Sequence, residues 1–183
     1  MDQANHGTTL VRLEDDDYLV DSSILLNRAV KIRPDEAVID DHPLMPLEYE
    51  TVDRTVRLWF QFAIMPAGSL TPCRLLATGG DGQTLHEADA VSRRFGPFNE
   101  QLFASRNFPR RSETLHGRRQ VTRRDNGTRE TTEHDADGLA TELTATMGLS
   151  PAFVSRWVDS SALDASLENS PPPVSELPPS RRG

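Results

Sequence analysis

An alternating run of side chains in the first half of the chain constrains the fold more than any other feature. Between Thr55 and Met65, apolar residues fall at every second position, namely Val56, Leu58, Phe60, Phe62 and Ile64. Successive side chains of a strand point to opposite faces of a sheet, so this spacing predicts a β-strand with one face on a core. Residues 70–77 are predicted to return as a second strand. Pro72 would lie at a sheet edge, because proline has no amide hydrogen to donate.

The segments on either side of this hairpin give further predictions of local structure. Asp21 to Ile32 carries N-capping side chains followed by apolar residues at helical spacing, which predicts a helix, with a pair of short strands as the alternative. A short strand is predicted at residues 37–39. Residues 84–91 are predicted to form either a third strand or a short helix. Val121 and Thr122 are predicted to lead as a strand into a turn at residues 125–128.

These elements together predict an α+β fold. A small antiparallel sheet around residues 55–77 is expected inside an α+β domain that spans residues 15–125. A linker is predicted at 126–137, followed by a pair of helices at 138–168. Disordered tails are expected at 1–14 and at 169–183, where the latter contains Pro171-Pro172-Pro173 and Pro178-Pro179.

The cysteine content and the apolar runs bear on the cell compartment. The chain of 183 residues has one cysteine, Cys73, which excludes an internal disulfide framework and a cysteine-based zinc site. Its first residues show no basic start followed by an apolar run, and the apolar stretch at 58–65 is too short to span a bilayer. A cytoplasmic location without a membrane span is therefore predicted.

Charge is strongly segregated along the chain. The net charge is −8, and all basic residues except Lys31 are arginine. Residues 93–129 contain ten arginines and three acidic residues, whereas the rest of the chain is acidic overall. Such segregation creates a local positive field in spite of the acidic total.

The arginine-rich segment is the predicted binding site. Eight of its ten arginines occur in four pairs with phenylalanines among the first of them: Arg93 and Arg94, Arg110 and Arg111, Arg118 and Arg119, and Arg123 and Arg124. Guanidinium groups bind phosphate in bidentate fashion, and aromatic rings stack on bases. This pattern predicts a non-catalytic protein that binds nucleic acid or another polyanion. The alternative is that these arginines pair with carboxylates of the same chain.

Two other functions fit parts of the sequence. Between Leu139 and Val158 the chain resembles the helix-turn-helix of bacterial regulators, with Gly148 as the turn glycine and Ser150-Pro151 at the start of the second helix. The resemblance implies a DNA-binding regulator that reads bases near Ser155 and Arg156. The proline-rich tail instead favours a protein–protein assembly or adaptor factor, such as a viral or phage accessory protein.

The sequence predicts no catalytic residue, no metal site and no cofactor, and hence no enzyme. Histidines next to carboxylates occur at His42, His86 and His134, but none of them has the spacing of a metal-binding motif. A nucleophile elbow and a phosphate-binding loop are missing too. Cys73 lies in an apolar strand, where a lone thiol usually serves packing.

Overall fold

The structure is a computed structural model that describes residues 8–21, 29–40, 42–44, 46–52, 55–60, 71–75, 82–95 and 101–168. The second half of the alternating run, most of the helix predicted at 21–32 and the proline-rich tail lie outside these residues. The chain divides into two compact units. The first unit comprises residues 1–62, 67–96 and 179–183, and the second unit comprises residues 63–66 and 97–178.

The described residues of the first unit form two antiparallel sheets and one helix. Strands β1 (Thr9–Leu13), β2 (Asp16–Val20) and β3 (Val30–Ile32) form one sheet in that order. Strands β4 (Ala37–Asp40), β5 (Leu47–Val52), β6 (Thr55–Phe60) and β7 (Thr71–Leu75) form the other, also in chain order. Helix α1 follows at Gly82–Phe95.

One apolar core joins the two sheets of the first unit. Strand β6 buries alternate residues as its sequence pattern predicts, and β5 places Leu47 and Tyr49 opposite Phe60 and Leu58. These side chains pack in one cluster with residues of β2 and β3, namely Leu19, Val30 and Ile32. The Tyr49 hydroxyl donates a hydrogen bond of 2.7 Å to the Lys31 carbonyl, which ties β5 to β3. Burial raises the pKa of Tyr49.

The second unit is a four-stranded antiparallel meander followed by three helices. Strands β8 (Phe103–Phe108), β9 (Arg111–His116), β10 (Arg119–Arg124) and β11 (Arg129–Glu133) each pair with the next strand in the chain. Helices α2 (Ala136–Ala145), α3 (Pro151–Val158) and α4 (Ser161–Glu168) follow. Leu115 of β9 packs in one core with Leu139 and Leu143 of α2, Val154 of α3 and Leu163 of α4.

Several predictions of local structure are confirmed. Residues 37–40, 55–60 and 71–75 are strands, β6 and β7 pair in antiparallel orientation, and Pro72 lies on the edge strand β7. The second predicted helix of the pair begins at Pro151, where the Ser150 side chain accepts a hydrogen bond from the Phe153 amide as the N-cap. The α+β fold class is confirmed as well.

Other predictions need correction. Val30–Ile32 is a strand and not the end of a helix, because its backbone pairs with β2 and the side chains of Val30 and Ile32 enter the core. Residues 84–91, for which a strand or a short helix was predicted, lie within the helix Gly82–Phe95, which confirms the helical alternative. The expected tail at 1–14 contains β1, and the expected linker at 126–137 contains β11. The structure also divides after residue 96, inside the domain predicted at 15–125, and places three helices in 138–168, where a pair was predicted.

Candidate functional site

Most of the predicted arginine site is engaged with acidic residues of the same molecule. Six of its eight arginines make an ion pair with a neighbouring carboxylate in the described part of the chain. The pairs are Arg93–Asp89 at 2.8 Å, Arg110–Asp125 at 2.6 Å, Arg111–Glu113 at 2.9 Å, Arg118–Glu133 at 2.7 Å, Arg119–Glu133 at 3.4 Å and Arg124–Glu130 at 2.9 Å. Arg123 is buried, and the side chain of Arg94 is outside the described residues. The alternative of pairing within the chain therefore describes this segment better than a free cationic surface.

Strand geometry also separates the two arginines of one pair, Arg123 and Arg124. Arg123 and Arg124 are neighbours on β10, so their side chains point to opposite faces of the sheet. Arg119 and Arg123 share the face that also carries the buried Val121, whereas Arg124 lies on the other face with Thr122. Arg123 and Arg124 therefore do not line one surface.

Burial changes the acid–base properties of Arg123. Its side chain is 5% exposed, and Arg129 lies directly across from it on β11. Burial, with a smaller effect of the Arg129 charge, lowers the pKa of Arg123 to about 10. Burial also lowers the pKa of Arg129. The side chain of Arg123 therefore belongs to the interior of the second unit.

Arg110, in the β8–β9 turn, sets the protonation of Asp125, in the β10–β11 turn at the same end of the sheet. Its hydrogen bond, and then its charge, lowers the pKa of Asp125, while Arg118 and Arg119 lower that of Glu133. We expect Arg110→Gln to raise the pKa of Asp125 towards its ordinary value. Carboxylate titration by carbon-13 NMR measures this.

The matched control for this prediction is Arg118→Gln. It should raise the pKa of Glu133 and leave that of Asp125 unchanged, because the ion pair of Arg118 described above is with Glu133. A depressed carboxyl pKa stabilises the fold above the pKa of the unfolded chain, and this contribution is lost as the pH falls through the folded pKa. Arg110→Gln should therefore weaken the acid dependence of stability. An Asp125 pKa that stays low in Arg110→Gln would contradict the assignment.

A cluster of polar side chains connects β9 and β10 to α2. The buried Glu113 carboxylate accepts hydrogen bonds from Thr122 Oγ1 at 2.5 Å and from Gln120 Nε2 at 3.3 Å, besides its ion pair with Arg111. Gln120 Nε2 also donates to Glu142 of α2 at 3.1 Å. A buried carboxylate with three donors is well compensated, so this cluster stabilises the packing of sheet against helix.

His134 belongs to the same cluster, and its contact with Gln120 indicates which ring nitrogen donates. Its Nε2 lies 2.7 Å from Gln120 Oε1, while the amide nitrogen of Gln120 donates to the two glutamates. An amide oxygen only accepts, so Nε2 of His134 carries the hydrogen. The ring is thus one partner of a hydrogen-bonded network with Gln120. Within the described residues, no group of three or more His, Cys, Asp or Glu side chains is placed to hold a metal ion.

His116 and Asp21 are buried ionisable groups that the sequence did not single out. His116, at the end of β9, is 8% exposed and meets the Phe103 ring edge-on with centroids 5.9 Å apart. Burial, with a smaller effect of Arg119, lowers the pKa of His116. Asp21 directly follows β2 and is 5% exposed. No local motif surrounds either residue, and only the tertiary structure shows their burial.

The remaining residues weighed for chemistry are spread over the first unit. His86 lies on the exposed side of α1, and His42 accepts a hydrogen bond of 3.3 Å from the Leu44 amide. Cys73 lies on β7 directly across from the buried Leu58 of β6. Among the described residues, no helix is long and apolar enough to cross a membrane.

Comparison with known proteins identifies a fold shared with enzymes. No protein-family model matches the chain, and no curated protein matches it in sequence. The structure is similar to an N-arylamine acetyltransferase of Mycobacterium smegmatis, with a TM-score of 0.68 and 16% identity over 90% of this chain and 60% of the other. It is also similar to the arylamine N-acetyltransferase of Mycobacterium marinum in complex with CoA, with a TM-score of 0.64 and 17% identity over 91% and 61%. The corresponding Salmonella typhimurium enzyme gives 0.61 and 17% over 85% and 61%. The chain thus spans about 60% of the length of these proteins.

These neighbours overturn the function predicted from the sequence. A non-catalytic protein that binds nucleic acid or another polyanion is wrong, because the fold is that of acetyltransferases. The prediction that the chain is no enzyme is wrong for the same reason, and so are the adaptor and the helix-turn-helix regulator. The two helices that resemble the regulator do exist. Their apolar residues Leu143 and Val154 pack with the sheet residue Leu115, which explains the pattern without DNA.

Proposed function

We propose that this chain forms part of an acetyltransferase that transfers an acetyl group from acetyl-CoA to the nitrogen of an arylamine. The likeness of its fold to arylamine N-acetyltransferases, with a TM-score of 0.68 over 90% of the chain, carries this proposal. The complex of one of these neighbours with CoA supports acetyl-CoA as the donor. Because the chain spans about 60% of the length of the neighbours, the proposal concerns the activity of the whole protein.

The proposed reaction exchanges one bond for another at the acetyl carbonyl. The amine nitrogen forms a bond to this carbon, the carbon–sulfur bond of the thioester breaks, and the CoA thiol leaves. The proton lost by the amine ends on the thiolate. Such acyl transfer is accelerated by holding the two reactants together and by a group that accepts the proton.

A cytoplasmic location remains part of the proposal, supported by the single cysteine, which suits a reducing compartment.

Two measurements on the purified chain test this function. Isothermal titration calorimetry with CoA and with acetyl-CoA should show saturable binding at a stoichiometry near one. Incubation with acetyl-CoA and 4-methylaniline should then give the acetylated amine, detected by mass spectrometry, faster than in protein-free buffer. The absence of both CoA binding and amine acetylation would contradict the proposal.

The single thiol of the chain requires its own control. Cys73 can take an acetyl group directly from a thioester, and this side reaction would release CoA without any transfer to an amine. The amine product, and not the released thiol, is therefore the measured quantity. In Cys73→Ser, we expect CoA binding to be unchanged, because Cys73 of β7 lies directly across from the core residue Leu58 of β6.

A further inference from the structure

Two polar side chains of the first unit are direct neighbours on the core side of the sheet that β4 and β5 share. The pairing of Ala37 with Glu50 places Glu36, just before β4, opposite Thr51 of β5. The Thr51 amide donates to the Glu36 carbonyl at 2.9 Å, which extends the strand pairing to these residues. Residues paired in this way carry their side chains on the same face, with Cβ atoms about 5 Å apart. That face is the core side, because Thr51 follows the buried Tyr49 by two positions along β5.

Both side chains hold a polar oxygen inside the protein. Thr51 is 7% exposed, and its Oγ1 is buried. Glu36 Oε1 accepts a hydrogen bond of 3.2 Å from the exposed Arg33, whereas Glu36 Oε2 is buried. Within the described part of the chain, neither Thr51 Oγ1 nor Glu36 Oε2 has a hydrogen-bond partner. Burial of a carboxylate oxygen without a donor is costly, and in native proteins such atoms are commonly bonded to a buried water molecule.

Tyr49 supplies a further polar atom at the same place. Its hydroxyl donates to the Lys31 carbonyl at 2.7 Å, so the lone pairs of the phenol oxygen are left to accept. Burial, and then the charge of Glu36, raises the pKa of Tyr49, which agrees with a carboxylate close to this hydroxyl. The cluster thus combines a donor, the Thr51 hydroxyl, with acceptors on Glu36 and Tyr49. A water molecule accepts hydrogen bonds and donates two, so it complements this set.

Water suits this cluster better than a metal ion does. Calcium and magnesium ions take about six or more oxygen ligands, whereas Glu36 supplies one carboxylate, whose charge Arg33 already balances. We propose that one buried water molecule is bound between Glu36 Oε2 and Thr51 Oγ1. It donates one hydrogen to the carboxylate and the other to the Tyr49 hydroxyl oxygen, and it accepts the hydrogen of the Thr51 hydroxyl. The water thereby joins the start of β4 to β5, next to the bond from Tyr49 that ties β5 to β3.

The proposal is tested on the full chain by oxygen-17 relaxation dispersion of the solvent, which detects water molecules that stay inside a protein for longer than the protein takes to tumble. Thr51→Val has nearly the same shape but no hydroxyl, so we expect it to lose the contribution of one long-lived water. Thr51→Ser is the matched control, because it keeps the hydroxyl, and it should retain this contribution. Amide spectra like that of the parent protein show that both variants are folded.

A high-resolution crystal structure of the parent protein gives a second readout that does not depend on a variant. An ordered water should lie within about 3.2 Å of both Glu36 Oε2 and Thr51 Oγ1. Equal dispersion in the parent and in Thr51→Val would overturn the proposal, and so would an equal loss in Thr51→Ser, since the loss would then come from packing. A direct hydrogen bond between the two oxygens would also overturn it. A peak about 2.4 Å from them, a metal–oxygen distance, would instead identify an ion and overturn it as well.

Discussion

Replacing Leu139 with alanine is expected to lower the free energy of unfolding by about 2–5 kcal/mol, the range for large-to-small changes in a packed core. Leu139 lies in α2, is 0% exposed and packs with Leu115, Leu143, Val154 and Leu163 in the core between the sheet and the helices of the second unit. Removing its branched end takes away apolar contacts in this core and leaves a cavity that the rigid sheet cannot fill.

Urea denaturation followed by circular dichroism measures this loss. Thr141→Ala, at an exposed position of the same helix, is the matched control and should change stability by less than about 0.5 kcal/mol. Because the chain has two units, the transition of the second unit is best identified from hydrogen exchange of the α2 amides. A Leu139→Ala protein as stable as the parent would show that this core does not hold the helices on the sheet.

Gly148→Ala is expected to cost about 1–3 kcal/mol, since a left-handed backbone conformation alone costs about 1–2 kcal/mol for a residue with a side chain. Gly148 ends the α2 segment with φ of 76°, and the Leu149 amide donates back to the Leu143 carbonyl at 3.0 Å, as in a helix C-terminal cap. A Cβ atom at this position would lie 2.7 Å from Nη1 of Arg106. That nitrogen donates to the Thr146 carbonyl at 3.1 Å, so Arg106 must give up this bond to make room.

Two comparisons separate the backbone strain from the clash. Gly127 also has a positive φ, of 81°, but a Cβ there would meet nothing within 4 Å, so Gly127→Ala should show the backbone cost alone. Gly148→Ala should cost more than Gly127→Ala in the parent protein and about the same in an Arg106→Ala background. Thermal denaturation of these variants tests this, and an equal cost at the two glycines in the parent would argue against the Arg106 contact.

The sequence predicted the elements whose apolar residues follow one clear period. Strand β6 was predicted because Val56, Leu58 and Phe60 alternate with polar residues, and the start of α3 because Ser150 and Pro151 are strong N-terminal signals. The meander of the second unit was largely missed. Its strands bury hydroxyl and charged side chains such as Ser112, Thr114 and Arg123, and β9 buries five residues in succession, so its apolar side chains do not alternate with polar ones. A prediction based on hydrophobicity detects no period in such a segment.

The candidate site was misjudged for a related reason. The number of arginines in a segment gives its charge. In a strand, however, neighbouring residues lie on two faces, and the sheet places them next to carboxylates from other strands. Arg118 and Arg119 both meet Glu133, which is more than ten residues away in sequence. The pairing of β10 with β11 creates these contacts, and the sequence alone contains no signal for that register.

The proposed function was not predicted from the sequence, because it is supported by a likeness of fold at only 16% identity. The lack of a metal-binding spacing, a nucleophile elbow and a phosphate-binding loop in the sequence excludes only enzymes that carry such motifs. Buried ionisable groups such as His116 and Asp21 stand at the ends of strands, and their burial arises from residues distant in sequence. The likeness of the fold to known enzymes, and no local pattern, supports the proposed function.

The topology of the second unit has a consequence for how the chain reaches its native state. Every strand of the meander hydrogen-bonds to the strand next to it in the chain, and the helices that cover the sheet follow immediately. Contacts between residues close in sequence require little loop closure, which favours rapid folding. This region can therefore assemble as soon as its last helix has left the ribosome, with little time during which unpaired strand edges are available for aggregation.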